Sequence, residues 1–292
     1  MRHEVRLLPE LFLNRLRKVV PLYRWDSLAN TFAEAKPTTF RINSLKTERS
    51  ACRDALAQEG FRAETISWCP DAFILARGRL RELEKTSLYQ RGEIYLQSLS
   101  SMLPALVLRP EPGESILDLA AAPGSKTTQM SCLMKGTGRI VAVENDPVRF
   151  ARLKANVQRQ SAQNVELVLA YGESIGKKYP DCFDRVLLDA PCSAEGRFEV
   201  TNPRSYRYWS LKRVLKIAKL ETKLLCSALA ALKTGGVLVY STCTFAPEEN
   251  EAVIQGALER FRGSIGVEPT ELRLPNQVSG LLKWEGTQFH PS

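Results

Sequence analysis

The stretch Ser115-Ile116-Leu117-Asp118-Leu119, running into Ala120-Ala121-Ala122-Pro123-Gly124-Ser125-Lys126-Thr127-Thr128, decides the fold. The first five residues read as a short buried strand, and a helix is expected from about Ser125, past a turn of small residues. Small side chains let a ligand approach the backbone, and the first amides of the helix can face an anionic group. The turn has neither the Gly-x-x-x-x-Gly-Lys spacing of a phosphate loop nor Gly-x-Gly-x-x-Gly, which argues against a nicotinamide cofactor.

Downstream, strands and helices alternate. Strands are expected at Arg139–Glu144, Val165–Leu169, 185–189 and 237–241, and helices at 147–160, 208–233 and 247–261. The longest helix repeats apolar residues at Leu211, Val214, Ala218, Leu225 and Leu229, and is expected to stop at Gly235-Gly236. Alternation of this kind predicts a doubly wound, mostly parallel α/β sheet with ligands at the carboxyl ends of its strands. The second strand ends in Glu144, about 20 residues beyond the turn, where a carboxylate can accept from ribose hydroxyls. A nucleoside without a diphosphate fits that pattern, which points to S-adenosylmethionine.

Two cysteines lie just past strand ends, in Leu188-Asp189-Ala190-Pro191-Cys192-Ser193 and Tyr240-Ser241-Thr242-Cys243-Thr244. Parallel topology brings both toward one crevice, with Asp189 three residues from the first. A thiolate is among the few groups that add to an electron-poor ring carbon near neutral pH. The remaining cysteines, Cys52, Cys69, Cys132, Cys182 and Cys226, read as structural, because a free cysteine is usually a small buried hydrophobe. Seven cysteines without a Cys-x-x-Cys pair suggest neither disulfides nor a cysteine zinc site, and fit a reducing compartment. The only histidines, His3 and His290, sit at the chain ends, which excludes a Ser-His-Asp hydrolase and a histidine-ligated metal enzyme. Arg2, Glu4, Arg6, Glu10, Arg15, Arg17 and Lys18 break up the first 22 residues, so neither a signal peptide nor a membrane span is expected there. A cytoplasmic protein follows as the expectation.

At 292 residues, 44% hydrophobic and 25% charged, the chain has the composition of a globular protein. Its net charge of +9 points to nucleic acid. Residues 1–92 hold 17 Lys and Arg against 11 Asp and Glu. Between Arg197 and Lys223, eight basic residues face only Glu199 and Glu221, among Phe198, Tyr206, Tyr208 and Trp209. Basic residues mixed with aromatics suit phosphates and stacked bases, and a solvated helix face is the plainer alternative. The N-terminal part carries an amphipathic helix over 4–20, a strand-like run at 38–43, a helix over 49–59 and apolar runs at 65–68 and 72–75. We expect two units: a small N-terminal α+β module at 1–92 and a Rossmann-like domain at 93–292.

With these motifs in order, the chain resembles the RsmB/NOP family of RNA (cytosine-5) methyltransferases. The matches are Ala120-Ala121-Ala122-Pro123-Gly124-Ser125-Lys126, Asp189-Ala190-Pro191-Cys192-Ser193, and Tyr240-Ser241-Thr242-Cys243-Thr244 followed by Pro247-Glu248-Glu249-Asn250-Glu251. Pro37-Thr38-Thr39-Phe40-Arg41-Ile42-Asn43 looks like that family's RNA-binding extension. The resemblance implies a class I methyltransferase, a monomer without metal, that methylates C5 of a cytosine in rRNA or tRNA, with rRNA favoured. Residues 120–126 would line the methionine end of S-adenosylmethionine, with Glu144 on its ribose and Asp189 also beside the cofactor. Cys243 would attack C6 of a flipped-out cytosine, Asp189 would hold the base edge, and Cys192 would assist release.

The sequence departs from that pattern in three places. Leu169-Ala170-Tyr171-Gly172-Glu173 lacks the family's aspartate near adenine, leaving Tyr171 or Glu173 as substitutes. Pro191-Cys192-Ser193-Ala194-Glu195-Gly196 displaces the glycine that usually follows Pro-Cys-Ser. The chain stops at Ser292, where the family continues into a further strand, so a short member or a truncated sequence is expected. A one-thiol mechanism of the DNA cytosine-5 type and a non-catalytic RNA-binding factor are the alternatives, and the second thiol motif argues against the first.

Overall fold

The computed structural model describes residues 3–274 and 276–291, so the first two residues, Pro275 and Ser292 lie outside the description. The chain opens with a 3-10 turn at His3–Leu7 and then α1 (Glu10–Val19) and α2 (Trp25–Thr31). Pro9 interrupts the expected continuous helix over 4–20, because its ring bars the helical conformation of Leu8 and it has no amide to donate. Next come β1 (Thr39–Ile42), α3 (Arg49–Gln58), β2 (Arg62–Ile66), β3 (Cys69–Arg77), α4 (Leu80–Leu83), α5 (Ser87–Gln90) and β4 (Ile94–Leu96). These strands form an antiparallel sheet in the order β2-β3-β1-β4. Ile94 and Leu96 pair with Ile42 and Phe40, so the N-terminal sheet runs past the expected break at 92/93. A three-residue strand carries too little periodicity to be read in advance.

The remainder runs α6 (Leu99–Leu108), β5 (Ser115–Asp118), α7 (Ser125–Leu133), β6 (Arg139–Glu144), α8 (Pro147–Arg159), β7 (Val165–Leu169), α9 (Ile175–Lys178), β8 (Phe183–Asp189), α10 (Leu211–Ala231), β9 (Leu232–Ser241) and α11 (Glu251–Arg260). Strands β5 to β9 form a parallel sheet in the order β7-β6-β5-β8-β9. Side chains alternate between its faces, as strand geometry requires. Leu117, Val141, Val143, Val186 and Leu188 pack toward Leu224, Leu225 and Ala228 of α10 and Val253 of α11. Ile116, Ile140 and Leu187 pack toward Ala105 and Leu108 of α6 and Met130 and Met134 of α7. The strand order reverses between β5 and β8, which opens a crevice at their carboxyl ends.

Two boundaries differ from the sequence expectation. Helix α10 starts at Leu211, capped by the Ser210 side chain, and ends at Ala231 rather than near Lys233. Leu232 already pairs with Phe183 in the sheet. An apolar residue satisfies either period there, and tertiary pairing decides. The expected last helix begins with a 3-10 turn at Pro247–Glu249 and becomes α-helical only from Glu251. No helix among the described residues is long and apolar enough to cross a membrane.

Candidate active site

Three loops meet in the crevice. The first leaves β5 through Leu119 to Gly124, where Gly124 caps α7 at φ +100. A Cβ there would stand 2.9 Å from Leu153 Cδ1, so glycine meets both a left-handed backbone and a close helix approach. Thr127 Oγ1 donates to buried Asp118 at 2.6 Å, and burial raises that carboxyl to about 7. Lys126 donates to Asp189 Oδ2 at 2.6 Å and to Ser101 Oγ at 2.9 Å. Its ammonium therefore joins the first loop to the second.

The second loop leaves β8 at Asp189, whose Oδ1 accepts from Ser241 Oγ at 2.8 Å. It passes through Cys192 and turns at Ala194, which takes φ +60. A left-handed position is where glycine costs least, so the displaced glycine leaves an alanine in a strained backbone. Glu195 is buried and accepts from Trp209 Nε1 at 2.8 Å and from Phe245 N at 3.0 Å, which ties this loop to the third. Gly196 N donates to Cys243 O at 2.9 Å.

The third loop leaves β9 and carries Cys243. Its sulfur stands 3.2 Å from Cys192 Sγ, and Cys243 N donates to Cys192 Sγ at 3.3 Å. A hydrogen bond from the Cys192 thiol brings Cys243 down to about 7, helped by Arg197 and Lys126 and opposed by burial. The same bond, together with burial, pushes Cys192 up. The two sulfurs thus share one proton, with Cys243 the thiolate and Cys192 the donor. Ser193 Oγ and Thr244 Oγ1 lie 2.8 Å apart beside them.

Glu144 ends β6 in a buried position. Its Oε1 accepts from Asn145 N and Asp146 N, both at 3.0 Å. Its Oε2 has no hydrogen-bond donor, although Arg149 Nη1 stands 3.4 Å away. A buried carboxylate oxygen left over at a strand end fits a ribose hydroxyl, so the residues present suit a nucleoside cofactor. Glu144→Ala is expected to weaken S-adenosylmethionine binding roughly tenfold to a hundredfold, the loss of one charged hydrogen bond of about 1.5–3 kcal/mol. Calorimetric titration checks it, and an unchanged dissociation constant would remove Glu144 from the site. Tyr171 is 68% exposed beyond β7 and Glu173 lies in the short 3-10 turn after it.

Two polar residues of the 37–43 run pack inside the protein. Arg41 and Asn43 are buried rather than turned to a ligand. Arg41 donates to Gln97 Oε1 and Thr128 Oγ1, both at 2.8 Å, and to Ser125 O at 3.1 Å. Asn43 Nδ2 donates to Gly92 O and Gln160 O at 3.0 and 2.8 Å. Arg41 thereby ties the N-terminal sheet to α7, and Asn43 ties it to the end of α8. Phe198, Tyr206 and Trp209 pack against Phe12 and its neighbours, so of the four aromatics in the basic run only Tyr208 is well exposed, with Arg207 stacked at 4.4 Å. Arg15 pairs with Glu248 at 2.6 Å, adding a polar tie from α1 to the segment after Cys243.

Among the structural cysteines, Cys52 and Cys69 are buried as expected. Cys132 and Cys226 are half-buried, and Cys182 is exposed, its thiol donating to Pro180 O at 3.1 Å. Ser101, Glu195, Arg197 and Ser241 complete the site without having been singled out. Each acts through a partner distant in sequence, and the Pro191–Gly196 and Tyr240–Thr244 motifs hinted only at Glu195 and Ser241. Among the described residues no group of three or more His, Cys, Asp or Glu could hold a metal ion.

The parallel sheet, with its crevice at the reversal of strand order and a small-residue turn leading into it, defines the Rossmann-like fold of the class I methyltransferases. The chain belongs to the 16S rRNA methyltransferase RsmB/F family, which it matches over residues 105–280. Residues 8–99 match the N-terminal domain of 16S rRNA methyltransferase RsmF. It is 36% identical over 280 residues to ribosomal RNA small subunit methyltransferase F of Aeromonas salmonicida, covering 94% of this chain and 59% of the relative. For the Serratia proteamaculans protein of the same name the identity is 38% over 267 residues, covering 90% and 55%. The chain thus spans under three fifths of the length of these curated relatives. Among solved structures, a methyltransferase homolog protein from Pyrococcus horikoshii superposes with a TM-score of 0.79 at 32% identity, covering 97% of this chain and 91% of that one. NSun6 from the same organism, with SFG, shares the fold at a TM-score of 0.80 and 21% identity, covering 91% and 90%.

Proposed function

We propose that this chain methylates C5 of a cytosine in rRNA, using S-adenosylmethionine and a covalent bond between Cys243 and C6 of the base. The observation that carries the reading is the pair of sulfurs 3.2 Å apart at the ends of adjacent strands, beside Asp189. C5 of cytosine is a poor nucleophile until a thiolate adds to C6, and the ring has to leave its stack to be reached. Bound S-adenosylmethionine would supply the electrophilic methyl group. Residues 120–126 would enclose its methionine end and Glu144 would hold its ribose.

The side chains then divide the work. Cys243 adds to C6 as a thiolate, and Asp189, fixed by Lys126 and Ser241, holds the base edge as charge develops on the ring. While Cys243 is a thiolate, the Cys192 proton is held in the hydrogen bond between them. Once Cys243 is bonded to carbon and C5 has taken the methyl group, that hydrogen bond weakens and Cys192 gives its proton to solvent. It can then take the C5 proton as the electron pair re-forms the C5–C6 bond and Cys243 leaves. The order of steps follows from which sulfur holds the proton.

For substrate binding we propose the N-terminal module, taken to end after β4, together with the exposed Arg204, Arg207, Lys212 and Lys216. Reversing those four charges is expected to raise the RNA KM and to flatten the salt dependence of binding, the slope falling by about 0.7 for each phosphate no longer neutralised. Cofactor affinity should stay the same. RNA binding with an unchanged salt slope would return the run to a solvated helix face. Seven free cysteines among the described residues fit a monomer working in the reducing cytoplasm.

Bisulfite sequencing of total RNA from cells with and without the gene tests the function. One rRNA cytosine should lose protection when the gene is absent. An identical pattern in the two samples would contradict the proposal.

A further inference from the structure

Glu221 lies midway along α10 and Glu249 ends the turn after the Cys243 loop, and both are fully buried. Their carboxyls lie within hydrogen-bonding reach of each other. Glu249 Oε2 accepts from Ser193 N, the residue after Cys192, at 2.6 Å. Glu249 Oε1 and both oxygens of Glu221 find no donor. The nearby Tyr240 hydroxyl has one proton for two acceptors within reach, Glu221 and Glu249 O at 2.6 Å, and so cannot satisfy all three oxygens. The other groups facing the pair are Cys192, Cys243, Glu195 and Glu248, and none is a cation. Arg15 is held at 2.6 Å by Glu248.

Two ionised carboxylates cannot share such a site, and two ionised carboxylates have no proton with which to satisfy three orphaned oxygens. Burial and then Glu249 push Glu221 up to about 9, and burial raises Glu249 to about 7. We propose that Glu221 keeps its proton at neutral pH and donates it to Glu249 Oε1, and that this shared proton fixes the Cys192–Ser193 turn against the Cys243 loop. Glu221 is then a positioning residue for the two thiols, a role that rests on those thiols being the reactive pair.

Glu221→Gln keeps a neutral donor of the same shape, and Glu221→Leu removes it. The glutamine variant should methylate RNA within about 3-fold of the wild type at pH 7.5 and lack the alkaline decline expected of the wild type near pH 9. The leucine variant should lose at least about tenfold in kcat, with the RNA KM little changed, as expected when positioned groups shift. Thermal unfolding supplies a readout independent of catalysis. A carboxyl raised in the folded state contributes stability that is full below its unfolded value and is lost as pH rises toward the folded one. The Tm of Glu221→Gln should therefore rise above that of the wild type by a gap that widens by about 4 °C or more from pH 6 to pH 9. A gap that stays flat would overturn the shared proton. Equal kcat in the leucine and glutamine variants, with the wild-type pH profile in both, would overturn the positioning role. A wild-type protein that methylates no cytosine would overturn that role together with the proposed function, and the Tm gap would still decide the shared proton.

Discussion

Cys243→Ala is expected to lose methyl transfer by at least about 10³-fold, the scale on which removing a covalent nucleophile acts. Burial still holds the Cys192 thiol up when Cys243 is replaced, so it is the weaker nucleophile of the two. The fold should be untouched, since Cys243 is exposed and surface substitutions change stability by about 0.5 kcal/mol or less. A matched Tm alongside a dead enzyme separates loss of chemistry from loss of structure. The wild-type rate should depend on pH through the same sulfur. With Cys243 brought down to about 7, the single-turnover rate should rise tenfold per pH unit in acid and level off above that value. A rate independent of pH from 5 to 8 would detach the chemistry from this thiolate.

Cys192→Ala has the second large effect, of a different kind. The variant should transfer about one methyl group per enzyme and then stop, because the group that takes the C5 proton is gone. Its burst should also titrate higher. Without the Cys192 thiol to donate, Cys243 loses the largest influence holding it down and returns toward the ordinary thiol value near 8.5. Rapid-quench measurements from pH 6 to pH 9 check both features. Continuous turnover at the wild-type rate would return Cys192 to a structural role.

Much of this site was legible because a parallel sheet gathers the carboxyl ends of its strands. Cys192 and Cys243 lie 51 residues apart in sequence, and the reading of β8 and β9 as neighbouring strand ends was enough to bring them together. Glu144 was legible for the same reason, at the end of a strand matched residue for residue. What the sequence hid was which polar groups face each other inside. The basic excess of residues 1–92 did not say which of its charges face solvent, and hydrogen bonds to Gln97, Ser125 and Thr128 take the Arg41 guanidinium inward. Lys126 was legible as a residue of the cofactor loop, and its ion pair with Asp189, 63 residues away, was not. Trp209 and Phe198 suited stacked bases as well as they suited a core. Only their packing on Phe12 decides. Glu221 counted only as an acidic residue in a basic run, and its burial against Glu249 was not visible in the sequence. Local periodicity accounts for the elements, and pairing between distant side chains accounts for the misses.

The covalent bond between Cys243 and the base is the claim on which the rest depends, and denaturing electrophoresis with labelled RNA and S-adenosylmethionine tests it most directly. Four proteins run side by side: the wild type, Cys192→Ala, Cys243→Ala and the double variant. A protein–RNA band that survives denaturation is expected in Cys192→Ala, with little in the wild type and none when Cys243 is missing. A band in Cys243→Ala, lost when Cys192 is also replaced, would contradict that claim and make Cys192 the attacking thiol.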